Sequence, residues 1–430
     1  MIIRIGNTDY DKIKNIDFCP ETDVIGKSLP INRFTVDVCT DDPIEPNTLI
    51  YLLDGNADVW AYYWLTDAYY IDTGWKRIIA QSTIMLLDRV TMPAKMYDGT
   101  DTFNDVIGEI FQSIQTMFPS MTVVSVDASL ASTVISGYAP EQKARDRLLW
   151  VCFCARAYVK TFFNSYTEIL PVDSTETIVP ADKTFWKPEV KANDYVTEIK
   201  IRAYTYTLTQ TDPARTDKFV KIGNDVYIET SQDFSIQNQS IPVTVAENVV
   251  NLQKVTLVNP NNANAILADL AEYYFSRFSV SAEFVNNGEF LPGEKVIVNN
   301  TENLYAGYIK SAKFTFGHNA KSAVEMQATV PIEADTLTIE CVYNTTVLAT
   351  YAYLLPVGYA LSVENQYLDM YNNGVRTIFR PENEYATGTV VSGGTTIQEP
   401  YEVAIEAENE EIYLLIVESV SEDDEIVTIS

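Results

Sequence analysis

The hydrophobic periodicity of this chain switches between two residues and about 3.6 residues in the order strands, helices, strands, helix, strands. No regular strand–helix–strand alternation results, so a doubly wound parallel sheet is a poor fit and β-rich α+β modules are the expected class. NRFTVDV (32–38) alternates with Phe34, Val36 and Val38 on one face. TLIYLLDGNADVWAYYWL (48–65) reads as a hairpin turning at Asp54-Gly55. WKRIIAQSTIMLLDR (75–89) supplies further strand and a short helix.

The period then lengthens. In 101–118 the apolar positions Phe103, Val106, Ile107, Ile110, Phe111, Ile114 and Met117 trace one helix face. Thr102 and Asp105 form a cap, and Pro119 stops the run. A second helix is expected over about 140–155 from Pro140, with Ala144, Leu148, Val151, Cys152 and Ala155 on one side. A hairpin follows, 157–163 and 166–172, joined by Asn164-Ser165. Strand signals return at 195–209 and 220–230, with Asn224-Asp225 in a turn. A third helix, 262–278, presents Ala263, Ile266, Leu267, Leu270, Ala271, Tyr274 and Phe278, and strands follow at 279–285, 295–300, 304–317 and 322–330.

Charge divides the chain. With 30 basic and 59 acidic residues the 430-residue chain carries −29. Residues 336–430 hold 16 acids against Arg376 and Arg380, or −14, leaving −15 on 1–335. A domain boundary is therefore expected near Thr336. Strand signals at 336–343, 347–355 and 413–420 mark the last region as a folded all-β module rather than an acidic tail.

Few catalytic chemistries remain. The one histidine, His318, excludes every mechanism that needs two, and its setting FTFGHNAKS reads as a turn. Cys19, Cys39, Cys152, Cys154 and Cys341 are odd in number and scattered, which fits inert thiols better than a disulfide framework or zinc site. DGNAD (54–58) mimics the start of a calcium loop, but Val59 and Leu65 occupy the places of its glycine and bidentate glutamate. EAENEE (406–411) reads as a solvated turn, and neither a phosphate-cradling glycine loop nor a nucleophile elbow occurs. No catalytic, cofactor-binding or metal-binding residue is nominated, and no cofactor is expected. A carboxylate pair for glycoside hydrolysis stays open, because 59 acids offer many pairs. Scarce bases argue against stable nucleic-acid binding. The N-terminus carries no secretory signal, and no apolar run is long enough for an integral membrane segment.

Four stretches, in this order, resemble the tail-hub (baseplate hub) family of tailed bacteriophages, including the N-terminal hub region of siphophage tail-associated proteins. LPINRFTVDVCTDD with RIIAQSTIMLLDR resembles the family's first barrel and its closing strand. YDGTDTFNDVIGEIFQ (97–112) resembles the first helix of its inserted domain, and 135–173 its turn, helix and hairpin. Residues 265–328 resemble the last helix and second barrel, with Pro292-Gly293-Glu294 at a turn where the family often has Gly-Asp, and Ala306-Gly307-Tyr308-Ile309 at its x-G-x-I. Glu294 in place of Asp, and the lack of a glycine directly before Trp60, depart from the pattern.

The resemblance implies two related β-barrel domains with α/β insertions, plus the C-terminal all-β module. The implied division is 1–95 first barrel, 96–180 α/β insertion, 181–230 with 289–335 second barrel, 231–288 second insertion, and 336–430 acidic module. It implies a non-enzymatic homotrimer at the virion tail tip, made in the bacterial host cytoplasm. Its partners would be the distal tail or tube protein, the tape-measure protein and tip or receptor-binding proteins. A tail-associated cell-wall hydrolase using two carboxylates, or a surface-binding adhesin, stands as the alternative.

Overall fold

The computed structural model describes the chain apart from residues 119–123, 173–174, 180–182, 186, 210–217, 243–244, 286–288, 301–302, 317–319, 333, 344–345, 357–359, 365–366, 373–374, 380–382, 393–401, 407–411, 421–425 and 430. It divides into two compact units: 1–175 with 190–295 and 307–329, and 176–189 with 296–306 and 330–430.

The first unit begins with seven strands: β1 (Ile2–Ile5), β2 (Thr8–Tyr10), β3 (Ile13–Phe18), β4 (Arg33–Cys39), β5 (Leu49–Leu53), β6 (Val59–Asp72) and β7 (Trp75–Ser82). They pair antiparallel in the order β3-β4-β7-β6-β5-β1-β2. β7 shows the period-two logic: Lys76, Ile78, Ala80 and Ser82 are buried, while Trp75, Arg77, Ile79 and Gln81 are half-buried. The turn between β5 and β6 is where the sequence places it. The Asp54 carboxylate accepts the Asn56 and Asp58 amides, which explains why DGNAD turns.

A first helical layer follows a 3-10 helix at Thr83–Arg89. Its elements are β8 (Thr91–Met92), β9 (Lys95–Thr102), α1 (Phe103–Gln115), β10 (Val124–Val126), α2 (Ala128–Ala131), β11 (Val134–Ala139), β12 (Gln142–Lys143), α3 (Ala144–Ala155), β13 (Ala157–Lys160) and β14 (Thr167–Pro171). The Thr102 hydroxyl accepts the Asp105 amide and the Asp105 carboxylate accepts the Thr102 amide, closing a reciprocal cap on α1. α3 starts at Ala144, not near Pro140. Gln142 and Lys143 first pair with β8, and the Ala144 amide donates to the Val90 carbonyl, so these backbone groups serve a ladder before the helix can form.

After β15 (Glu176–Ile178) and β16 (Glu189–Ala192) comes a second layer: β17 (Glu198–Thr209), β18 (Lys218–Ile222), β19 (Asp225–Gln237), β20 (Val249–Leu252) and α4 (Ala263–Phe275). β19 continues well past residue 230 and pairs along the whole of β17, while β20 adds in parallel. These strands form their own sheet, β18-β19-β17-β20. The sequence division grouped 181–230 with 289–335. The ladders instead group 198–237 with 249–252, because Ile199, Ile201 and Ala203 face the core that holds α4. That core is continuous with the one under α1 and α3.

Next along the chain come β21 (Phe278–Val285), β22 (Lys295–Asn299), β23 (Leu304–Thr315) and β24 (Lys321–Ile332), of which β21, β23 and β24 resume the first large sheet. The path runs β16-β21-β24-β23 and joins β3.

In the second unit β15 pairs with β22, and Ile297, Leu304 and Ala306 cluster with Ile178, Val330 and Ile332. Nine strands complete it: β25 (Ala334–Tyr343), β26 (Thr346–Pro356), β27 (Ala360–Glu364), β28 (Tyr367–Asn372), β29 (Val375–Phe379), β30 (Asn383–Ser392), β31 (Glu402–Glu406), β32 (Ile412–Val420) and β33 (Ile426–Ile429). They form sheets ordered β26-β25-β30-β33-β32-β31 and β27-β28-β29. Thr336 lies inside β25, and the second unit takes up the chain at residue 330, close to the expected boundary. The whole is a β-rich α+β fold. Among the described residues, no helix is long and apolar enough to cross a membrane.

Candidate functional site

The feature that organises the first unit is the seam where its opening strands meet its closing ones. β3 touches β23 at Phe18 opposite Phe314. The chain beyond β3 extends the seam: the Ala312 amide donates to the Pro20 carbonyl, the Thr22 amide to Lys310, and Glu21 bridges Ser311. So few backbone bonds hold little alone, and aromatic packing fills the gap. Phe18 stacks on Phe314 at 5.2 Å, and Phe34, Tyr63 and Phe163 surround it at 6.0 to 6.4 Å. Trp60 closes the outer end against Phe163, Phe314 and Phe316. Ring pairs of this kind add about 0.5–1.5 kcal/mol each beyond area burial. Phe163 takes φ +55°, a conformation bulky side chains avoid, and its amide donates to the Trp60 carbonyl. Burial raises the Tyr63 hydroxyl far above its ordinary range, and among the described residues no partner is within hydrogen-bond reach of it.

A second anchor is the turn at Pro292-Gly293-Glu294. The Gly293 amide donates to the Ile309 carbonyl, and the Ile309 amide donates back to Glu294. Gly293 has φ +101°, and a Cβ there would sit 2.6 Å from the Tyr158 ring, so only glycine fits. Burial pushes the Glu294 carboxyl up, against the opposing Leu291 amide and the Lys160 charge. Glu294 thus serves as a turn-locking acceptor.

The other carboxylates with resolved shifts are also tied to structure. Burial resists ionisation of Asp37, yet hydrogen bonds from Arg77 and Asn15 outweigh it and hold the carboxyl below its usual value. The Arg202 hydrogen bond does the same for Asp233, and the Thr102 hydroxyl for Asp105. Burial drives the Cys152 and Cys154 thiols far up, away from the reactive thiolate. Cys19 is exposed, and its thiol is also raised by burial of the sulfur, with Asp17 adding to the effect. His318 and 407–411 of the EAENEE stretch lie outside the described residues. Among the described residues, no cluster of three or more His, Cys, Asp or Glu side chains is placed to hold a metal ion.

Sequence reasoning missed Arg147. It is fully buried on α3, donating to the Pro93 and Pro140 carbonyls and the Tyr97 hydroxyl. The signal was present in its spacing, three residues after Ala144 and four before Val151, on the apolar face already identified. The long-range pairing of β3 with β23 had no local signal.

No protein-family model matches the chain, and no curated protein matches it. Solved structures do. The tail protein from Neisseria meningitidis MC58 aligns over 76% of this chain and 95% of its own, at 9% identity and TM-score 0.52. The 43 kDa tail protein of prophage MuSo2 from Shewanella oneidensis aligns over 76% and 99%, at 9% identity and TM-score 0.50. With a seam uniting distant strands around two helical layers, this chain has the fold of phage tail proteins.

Proposed function

We propose that the chain is a structural, non-enzymatic component of a phage tail: a trimeric hub joining the six-fold tube to three-fold distal parts and forming part of the DNA conduit. The observation that carries this reading is the single sheet in which β1–β7 and the strands β21, β23 and β24 lie side by side across the Phe18–Phe314 seam. Two strand groups per chain and three chains per ring give six comparable positions, which resolves the symmetry mismatch by duplication. In this reading 1–95 is the first barrel and 96–180 its insertion. The second barrel takes its strands from 189–192 and 278–332, the layer between them is the second insertion, and 336–430 is an accessory module. Partners are the tube, tape-measure and tip or receptor-binding proteins, at the virion tail tip. A charge of −29 suits a passage that must not hold DNA by counterion release.

The test is solution mass with electron-microscope class averages of the purified chain. The expected result is a particle of three times 48.3 kDa with three-fold classes modulated at six positions. A monodisperse monomer at micromolar concentration, or duplex DNA retained in a gel shift at low salt, would remove the reading.

A further inference from the structure

β6 outruns its neighbour. β5 covers its outer side from Leu53–Val59 to Leu49–Trp64, and the Thr48 and Asn47 backbones finish the ladder at Leu65. From Thr66 to Asp72 the strand pairs with β7 on one side only, among the described residues. Two bulges, at Leu65/Asp67 and Tyr70/Asp72, bound a regular stretch from Asp67 to Tyr70. Natural edges are usually shielded by lysine or proline, and 66–72 contains neither. Tyr69, Tyr70 and Ile71 are instead 43%, 58% and 38% exposed, grouped at this one tip.

Charge says what fits there. Residues 34–75 carry eight acids and no base. The bases that follow are occupied: Arg77 is bound to Asp37, and Lys76 is buried, donating to the Asp42 carbonyl beneath the Tyr70 ring. Asp67 and Asp72 are exposed, and their hydrogen bonds are to the amides of their own next residues. Tyr70 reaches the Asp41 carbonyl, which brings the exposed Asp41 and Asp42 to the same tip. The register places Asp67, Tyr69 and Asp72 on one face, in the rows of Ile79, Arg77 and Trp75. Ala68 and Tyr70 lie on the other, in the rows of Ile78 and Lys76. A second copy of this edge would bring acid against acid.

We propose that the outer edge of β6 over residues 66–72 accepts, by strand addition, an extended segment of a different protein in which basic and apolar residues alternate. The basic side chains lie opposite Asp67 and Asp72, and the apolar ones lie beside Ala68 and Tyr70. This concerns one edge and stands whatever the oligomeric state of the chain.

The probe is a labelled heptapeptide, Lys-Val-Lys-Val-Lys-Val-Lys, titrated with the full-length protein by fluorescence anisotropy at 50 mM salt. Two further probes carry backbone N-methyl groups, one at every valine amide and one at every lysine amide, which keep all charges but each block one hydrogen-bonding edge. Saturable binding is expected, weakened at least tenfold by one of the two methylation patterns. Asp67→Asn/Asp72→Asn should weaken it about tenfold. Asp194→Asn/Glu247→Gln, the same charge change at exposed acids in connecting segments elsewhere, should leave it unchanged. Equal affinity for all three probes, equal loss in both double variants, or no saturable binding would overturn the proposal. All four substituted acids are exposed, and circular dichroism of each variant confirms that folding is intact.

Discussion

The two helical layers of the first unit are built alike and finished differently. α1 buries Phe103, Val106, Ile107, Ile110, Phe111 and Ile114 along its full length, and its N-terminus is closed by the Thr102–Asp105 box. α4 is also 13 residues long, yet buries Ala263, Ile266, Leu267 and Leu270, all in its first eight residues. Its last turn, Tyr273, Tyr274 and Phe275, is half-buried. The side chain at its N-cap, Asn262, accepts the Asn259 amide and donates to the Leu257 carbonyl, so it serves the preceding turn and not the helix. The sheet under α4 ends in exposed Leu208 and Phe219. The first layer spends its apolar surface on its own core, whereas the second leaves part uncovered. Stability is therefore concentrated in the first layer.

Core truncation should break the symmetry between the layers most strongly. Ile110→Ala is expected to cost about 4 kcal/mol, and Leu267→Ala about 2 kcal/mol, because the more exposed helix can collapse onto its cavity. Urea unfolding followed by near-ultraviolet circular dichroism measures both. Equal losses would mean that the half-exposed end of α4 does not soften its buried end.

Arg147 sharpens the contrast, since the second layer shows no counterpart among the described residues. Replacing it with Met keeps volume but removes the donor to the buried Tyr97 hydroxyl and to the part-buried Pro93 and Pro140 carbonyls, where a buried polar group left unsatisfied costs about 1–3 kcal/mol. A loss of about 3 kcal/mol is expected for Arg147→Met, with Arg147→Lys intermediate. A neutral Arg147→Met variant would show that the buried cation is no better than a hydrocarbon there.

What could be read beforehand followed from how local each signal was. α1 and its cap were legible because the period and the Thr102–Asp105 spacing occur within one stretch of chain. The hairpin of 157–172 was legible for the same reason, and β13 and β14 pair across it. The extension of β19 through Ser231–Gln237 was not, because SQDFSIQ offers only Phe234 and Ile236 as apolar alternation among polar residues. The partner sheet of β17 was misjudged because alternation names a buried face without naming what covers it. The uncovered edge of β6 was invisible for a similar reason: the sequence shows an apolar strand but not where β5 stops. The seam between Phe18 and Phe314 links residues nearly three hundred positions apart, which no periodicity reports.

The α1 cap gives a smaller effect with a defined pH signature. The Thr102 hydroxyl and amide hold the Asp105 carboxyl below its ordinary value. Stability from that shift is fully present above the unfolded carboxyl's pKa, and is lost as pH falls through the lowered folded value. Thr102→Ala should cost about 1 kcal/mol at neutral pH. It should also flatten the acid limb of the stability curve below about pH 4. The same steepness in both proteins would detach the cap from the titration.

The smallest effect tests whether the two layers are coupled at all. Arg156 ends α3 in the left-handed conformation and pairs through two of its guanidinium nitrogens, Nε and Nη2, with Asp269 on α4. The Asp269 hydrogen bond raises the Arg156 guanidinium further. Arg156 is half-exposed, which keeps the interaction in the range of about 0.2–1 kcal/mol and leaves it open to salt. A double-mutant cycle with Arg156→Gln and Asp269→Asn should give a coupling of about 0.5 kcal/mol at 50 mM salt that fades by 500 mM. A coupling that survives high salt would mean that the ion pair fixes α4 against α3 as firmly as core packing does. The second layer would then be rigid despite its uncovered surface, and the contrast between the layers would be one of exposure alone.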